Sequence, residues 1–312
     1  MTNLLVLKEY LKAVYARWSI VIDPAVRFLL ALMSLLFVTR FTGYQEKLGS
    51  ILLIVLTSVG CAFLPTTAIT AVAGFFLLAE FFALSMEVTV ITLTFILIVM
   101  LLLFGFQPDS IWLLLLAPLV LFAKMPLAMA VLVGLSGTLV SVIPMSCGIF
   151  VYYLIMYVRQ NSSTLTEKGE VREMSEVFSS ILRGILSNPE MIVMLIAVCI
   201  TMLVTLLLRR LSVNYVWEIA IAGGLMAGLI VILAGSYSFS LSVSLPLTAV
   251  SVAVSVLVAM LYRFLRFSAD YGRTEFLQYE DEDYYYYVKA VPKVNIARTD
   301  VKVQKINKVH RR

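Results

Sequence analysis

The charged residues of this chain crowd into residues 1 to 27, 159 to 190 and 262 to 312 and nearly vanish between them. What lies between is a series of apolar runs. Many approach the roughly 20 residues that carry an α-helix across about 30 Å of hydrocarbon. The chain is 61% hydrophobic and 14% charged, against about 25% charged in an ordinary soluble domain. No water-solvated core of this size could hide so much apolar surface, so lipid must be the solvent for the middle of the chain. The expected fold class is an all-α polytopic membrane protein.

Apolar runs begin near Ala25, Ile51, Thr67, Val88, Ile111, Leu127, Cys147, Met191, Val216 and Val243, which predicts about ten transmembrane or re-entrant helices over residues 24–266. The runs Ile51 to Leu64 and Ile111 to Ala123 are too short to cross upright, and a proline follows each, Pro65 and Pro126. Each is the expected first arm of a tight hairpin that either crosses or dips in and returns. Both outcomes leave the sidedness of later segments unchanged. Lys8, Lys12 and Arg17 precede the first run, Arg209 and Arg210 follow the eighth, and Arg263 and Arg266 follow the tenth. Ten passes put all three clusters on one side, which the positive-inside rule makes cytoplasmic, with both termini inside. Arg40, Lys47 and Lys124 then fall outside, against the trend. Residues 1–23, with Lys8, Lys12 and Arg17 set among apolar positions, are expected to form an amphipathic interfacial helix rather than a signal peptide. Residues 159–189 form an outer loop containing an amphipathic helix, with Met174, Val177, Phe178, Ile181, Leu182, Ile185 and Leu186 on one face and Arg172, Glu173, Glu176 and Arg183 on the other. It suits either a membrane-surface helix or a lid.

Two stretches resemble each other. SILLIVLTSVGCAFLPTTAITAVAG begins at Ser50 and SIWLLLLAPLVLFAKMPLAMAVLVG at Ser110, and a longer helix follows in both. Units 49–106 and 109–158 would each hold three passes, so the second would sit inverted relative to the first, the arrangement that marks a substrate site in secondary transporters. The pathway would then be lined at the breaks by Pro65 and Thr66 in one unit and by Lys124 and Pro126 in the other. Ser136, Thr138, Pro144 and Ser146 would add small and hydroxylated surface. The competing reading of these residues is close helix packing.

Glu80 stands in the apolar string FFLLAEFFALS. Ionisable residues at such depth are costly and therefore candidates for function. It would serve as a proton or cation site, paired across the protein with Lys124, or as a carboxylate reaching interfacial water from near its helix end. Glu218 and Arg27, near helix ends, are expected to be anchors. Cys61, Cys147 and Cys199 lie in apolar runs without metal-ligand spacing and are expected to be small buried hydrophobes. No Walker A loop, dinucleotide loop, HExxH or GxSxG occurs, and His310 is the only histidine, so no catalytic residue, cofactor or metal ligand is assigned.

Beyond Arg266 the chain turns polar. Thr274 to Tyr279 and Tyr284 to Val291 favour strands, with Glu280 to Asp283 as the turn, so residues 267–312 are expected to form a cytosolic tail with a small β-hairpin. Past Pro292 there are seven Lys or Arg against one acid, Asp300. That basic end suits anionic lipid headgroups of the inner leaflet, or pairing with the acidic half of the tail, and nothing in it points to nucleic acid. The string EFLQYEDEDYYYYVKAVPKV, with LLLLAPLVLFAKMPLAMAVLVGLSGT, resembles a family of uncharacterised multi-pass membrane proteins from Gram-positive bacteria. That resemblance implies the bacterial cytoplasmic membrane and carries no activity with it. Two functions fit: a transporter or permease subunit for an unidentified solute, or a membrane scaffold whose tyrosine-rich tail docks a partner protein. An intramembrane enzyme acting on lipid or isoprenoid substrates is the third.

Overall fold

A computed structural model describes residues 2–106, 110–163, 174–241, 244–266 and 274–292. Residues 164–173, including Arg172 and Glu173 of the outer loop, lie outside the described residues. So does the basic end 293–312. Eleven helices are found among the described residues: α1 Thr2–Phe41, α2 Ile51–Ala62, α3 Thr66–Leu84, α4 Met86–Phe106, α5 Trp112–Phe122, α6 Pro126–Ser136, α7 Val142–Gln160, α8 Met174–Leu186, α9 Pro189–Arg209, α10 Val216–Ser238 and α11 Leu245–Arg266. A 3₁₀ turn, Leu139–Ser141, leads into α7. Seven helices (α1, α3, α4, α7, α9, α10 and α11) are long and apolar enough to cross a membrane. The remaining apolar helices α2, α5 and α6, of 12, 11 and 11 residues, rise only about 16–18 Å each. The expected ten apolar segments thus divide into seven of spanning length and three that are not.

The chain forms two compact units, residues 19–263 and residues 1–18 with 264–312, and α1 and α11 run from one into the other. Within α1 the helical geometry breaks at Trp18 and continues through Pro24.

In the larger unit α1 serves as a ruler. Its C-terminal end carries Phe37 and Phe41, whose rings lie 5.8 and 4.8 Å from that of Phe122 at the end of α5. The loop after α1 is bound to Glu80, near the end of α3, through the backbone N–H groups of Tyr44 and Gln45. We call this the proximal end. Arg27 lies fourteen residues before Phe41, about 21 Å at 1.5 Å per residue, and its guanidinium donates to the carbonyl of Leu64 in the α2–α3 turn at 3.4 Å. Helices α2 and α3 therefore form a hairpin that enters from the proximal end and turns deep in the unit. Helix α4 runs antiparallel to α3 with Ile96 against Gly74, and its far end packs Leu103 with Ile111, just before α5. Helix α5 thus enters from the distal end. Its hairpin with α6 turns at Lys124, beside Phe122 and so at the proximal level, and the left-handed backbone of Lys124 (φ 58°) makes that turn tight. The two hairpins enter from opposite ends.

Helix α9 is the axis on which α6 and α10 pack. A Cβ at Gly134 of α6 would come within 2.7 Å of the Thr205 side chain, and Cβ atoms at Gly224 and Gly228 of α10 would overlap the hydroxyls of Thr205 and Thr201. These small residues let the backbones approach. Both threonine hydroxyls donate to their own helix, to the carbonyls of Thr201 and Ala197 at 2.7 Å, so no hydroxyl is left unpaired in the contact. The distal ends of α10 and α11 are joined by the Glu218–Arg263 ion pair, which makes Glu218 the anchor expected. Helix α8 covers part of α7. Its Ile181 and Ile185 are buried, and its Gly184 lies against the Tyr157 ring, so at least part of its apolar face meets protein.

In the smaller unit, β1 Glu275–Glu280 and β2 Tyr285–Ala290 pair antiparallel with Glu275 opposite Ala290 and Glu280 opposite Tyr285, close to the expected hairpin. Asp281 closes the turn, accepting from the N–H groups of Asp283 and Tyr284 at 2.9 and 2.8 Å and from the Tyr286 hydroxyl at 2.9 Å. These donors, the Asp283 N–H foremost, hold its carboxyl below the usual carboxylate range. Tyr279 and Tyr286 stack at 5.1 Å on one face, and the Lys289 ammonium lies 6.0 Å from the Phe276 ring on the other. At the other end of the unit's sequence, the Lys8 ammonium lies 5.6 Å from the Phe264 ring.

The α9–α10 contact makes a stability prediction. Gly228→Val should force Thr201 aside and destabilise by about 1–3 kcal/mol, the usual cost of overpacking. Gly60→Ala, with nothing within 4 Å of the new methyl, should be neutral or stabilise by up to about 1 kcal/mol. Thermal melts of both variants in detergent check the pair.

Candidate functional site

The sequence-derived candidates fall into four places. Pro65 and Thr66 sit at the α2–α3 turn, where Pro65 in extended conformation caps α3 and Arg27 covers the Leu64 carbonyl. Ser136 and Thr138 lie at the distal end of α6. Ser136 donates to the carbonyl of Leu132 at 2.8 Å, and Thr138 approaches the Ser141 hydroxyl at 3.4 Å. Beside them the Arg209 guanidinium donates to the carbonyls of Leu135 and Gly137, placing a cation at the negative end of the α6 dipole. Pro144 and Ser146 lie in the distal half of α7, with the Ser146 hydroxyl 3.5 Å from the Cys199 thiol.

Glu80 is fully buried, and its Oε2 accepts from the N–H groups of Tyr44 and Gln45 at 2.7 and 3.1 Å. It fixes the loop between α1 and α2 to the end of α3. The expected partner Lys124 is not there, because it lines a different cavity. Nor does the carboxylate reach out of the protein. The Oε1 atom is buried without a hydrogen-bond partner among the described residues.

Lys124 and Pro126 do share a site. At the proximal level the α5–α6 turn, α7, α9, α10 and α11 surround a cavity of about 210 Å³, the larger of two that we describe. Its polar lining comes from Lys124, Tyr152, Tyr153, Glu190, Ser244, Thr248 and Ser251, and apolar residues such as Leu121, Leu127, Met194 and Ile232 supply the rest. Each element has a local reason for its place. Asn188 caps α9, its side chain accepting from the N–H groups of Glu190 and Met191 at 3.0 and 3.4 Å, and Pro189 opens the helix. That cap sets Glu190 on the first turn of α9. Tyr152 and Tyr153 cross edge to face with centroids 5.3 Å apart. Tyr153 is only 5% exposed. Lys124 and Glu190 are both exposed, and among the described residues neither makes an ion pair. The cavity therefore brings one cation, one anion and several hydroxyls together without mutual saturation.

The second cavity, about 60 Å³ between α1, α3, α4, α5 and α7, is apolar apart from Ser34 and Thr70. Both hydroxyls bond to carbonyls of their own helices. Cys61 is buried, Cys147 and Cys199 are half-buried, and all three are free thiols. No cluster of three metal-ligating side chains occurs among the described residues.

Sequence reasoning missed Tyr152, Tyr153, Glu190, Ser244, Thr248 and Ser251. Side parity held part of the available signal, because it places Lys124 and the 159–189 loop on the same side. Comparison with known protein families, curated proteins and solved structures finds no match for this chain.

Glu80 has a structural task, and its substitution separates that task from ion binding. Glu80→Ala should leave two backbone N–H groups without their acceptor and destabilise by about 1–3 kcal/mol. Glu80→Gln, which keeps an amide oxygen as acceptor, should lose less. Parallel thermal melts check the order. Equal losses in both variants would assign the effect to charge instead.

Proposed function

We propose that this chain is a multi-pass carrier, a transporter or the permease subunit of one, for a small polar solute. The observation that carries the reading is the pair of short-helix hairpins entering from opposite ends, one of which turns at the cavity lined by Lys124 and Glu190. Paired broken or short helices in an inverted relation suit alternating access, because each half can rock against the other around a fixed site. A site bounded by elements from several hairpins and helices changes shape when any one of them tilts. The Gly-mediated contacts of α9 with α6 and α10 supply smooth surfaces for such movement.

The reading includes residence in a bacterial cytoplasmic membrane with both termini inside, and the basic end 293–312 lying on anionic headgroups. The proximal end, with Arg40, Lys47, Lys124 and Arg159, would then face outward, and the cavity would open there. A second reading has its own observation. The β1–β2 hairpin exposes Phe276, Tyr285 and Tyr287 at 79, 68 and 77%, and an isolated two-stranded hairpin is marginal in water. This favours a scaffold whose tail docks a partner protein.

Labelling separates the two. In a variant lacking Cys61, Cys147 and Cys199, single cysteines at Thr248 and Ser251 are exposed to a membrane-impermeant maleimide in right-side-out and in inverted vesicles. A carrier should be labelled from both sides, with prior labelling from one side blocking the other. Labelling from one side alone would oppose transport and leave the scaffold standing.

A further inference from the structure

We propose that the proximal cavity binds a small zwitterion of the α-amino acid type, with Lys124 receiving its carboxylate and Glu190 its ammonium group. The inference deepens the carrier reading by naming the solute class, and it rests on that reading only for the solute's entry and exit.

Size is the first constraint. A volume of about 210 Å³ falls below the roughly 300–1,000 Å³ of pockets for drug-sized ligands. A metabolite with a short side chain fits that space.

Charge is the second. A purely anionic solute would be repelled by Glu190, and a purely cationic one by Lys124. Both residues line the same cavity, and neither has an ion-pair partner among the described residues. A solute carrying both charges satisfies the two at once and adds no net charge to the site. Lys124 is held on its turn by a left-handed backbone and Glu190 on the first turn of a capped helix, so the two charges are presented by separate, locally fixed elements.

The third observation is Tyr153, a largely buried residue that lines this cavity. Its phenol can donate to a carboxylate held there. Ser251 adds a hydroxyl, that of Thr248 being bonded to the carbonyl of Leu245 at 2.8 Å, and Leu121, Met194 and Ile232 form an apolar lining for the solute's side chain.

The test uses the purified full chain in detergent, with thermal melts in the presence of alanine, threonine or leucine and, separately, of propylamine or propionate. At least one amino acid should raise the melting temperature by a few degrees in a saturable way, while the singly charged compounds do not. Lys124→Gln and Glu190→Gln, both at exposed positions and so expected to fold, should each weaken that amino acid about tenfold or more, the factor that about 1.4 kcal/mol of lost contact gives. Tyr153→Phe should weaken it less. Absence of any amino-acid effect overturns the proposal, as does an equal shift with propionate or propylamine alone or unchanged binding in both charge variants. Failure here alongside two-sided labelling of Thr248→Cys leaves transport standing. Binding alongside one-sided labelling overturns transport and leaves the site.

Discussion

Every interruption of a helix inside an apolar environment strips backbone N–H and C=O groups of their partners, and without water those groups must be satisfied by the protein itself. This chain interrupts its helices repeatedly. At three of the breaks a charged side chain supplies what is missing. Glu80 accepts from the N–H groups that follow α1, Arg27 donates to the carbonyl at the α2–α3 turn, and Arg209 donates to two carbonyls at the end of α6. Each group lies far in sequence from its backbone partner, so each also ties one segment of the unit to another. The hairpins, and the cavity at the turn of one of them, stand on these contacts.

This use of charge revises the ordinary reading of an intramembrane carboxylate. Depth in an apolar string made Glu80 a candidate ion site, yet its geometry is that of a clamp on a loop. The charges left for a solute are those that cap nothing. Lys124 and Glu190 meet that description; the repeat pattern points to Lys124, whereas Glu190, in the first turn of a helix behind a polar loop, does not stand out in the sequence.

Much of the fold was legible because lipid imposes a simple code. The expected starts at Ile51, Thr67, Val88, Ile111, Leu127 and Val216 lie within two residues of the observed helices, and the β-hairpin falls within a residue or so of its expected strands. Length separated α2 and α5 from the spanning helices in advance, since about 12 residues cannot cross. It did not separate α6 from α3, because both begin at a proline-bounded turn and only the Ser136-Gly137 break ends α6 early. The cavity was less legible. Which helix faces which depends on close approaches such as Gly134, Gly224 and Gly228 against α9, and a run of leucines and glycines does not say which neighbour its small residues will meet. Lys124 and Pro126 were found from a repeat pattern, whereas Tyr152, Tyr153 and Glu190 required the packing itself.

The central claim is that the two hairpins enter from opposite ends, with their turns about 20 Å apart along α1. Cross-linking of cysteine pairs by a short bifunctional maleimide in native membranes, in a background free of the three natural cysteines, tests it directly. Phe41→Cys with Phe122→Cys and Arg27→Cys with Leu64→Cys should cross-link, while Phe41→Cys with Leu64→Cys and Arg27→Cys with Phe122→Cys should not. The reverse pattern, or cross-linking of both turns at one level of α1, would contradict the account.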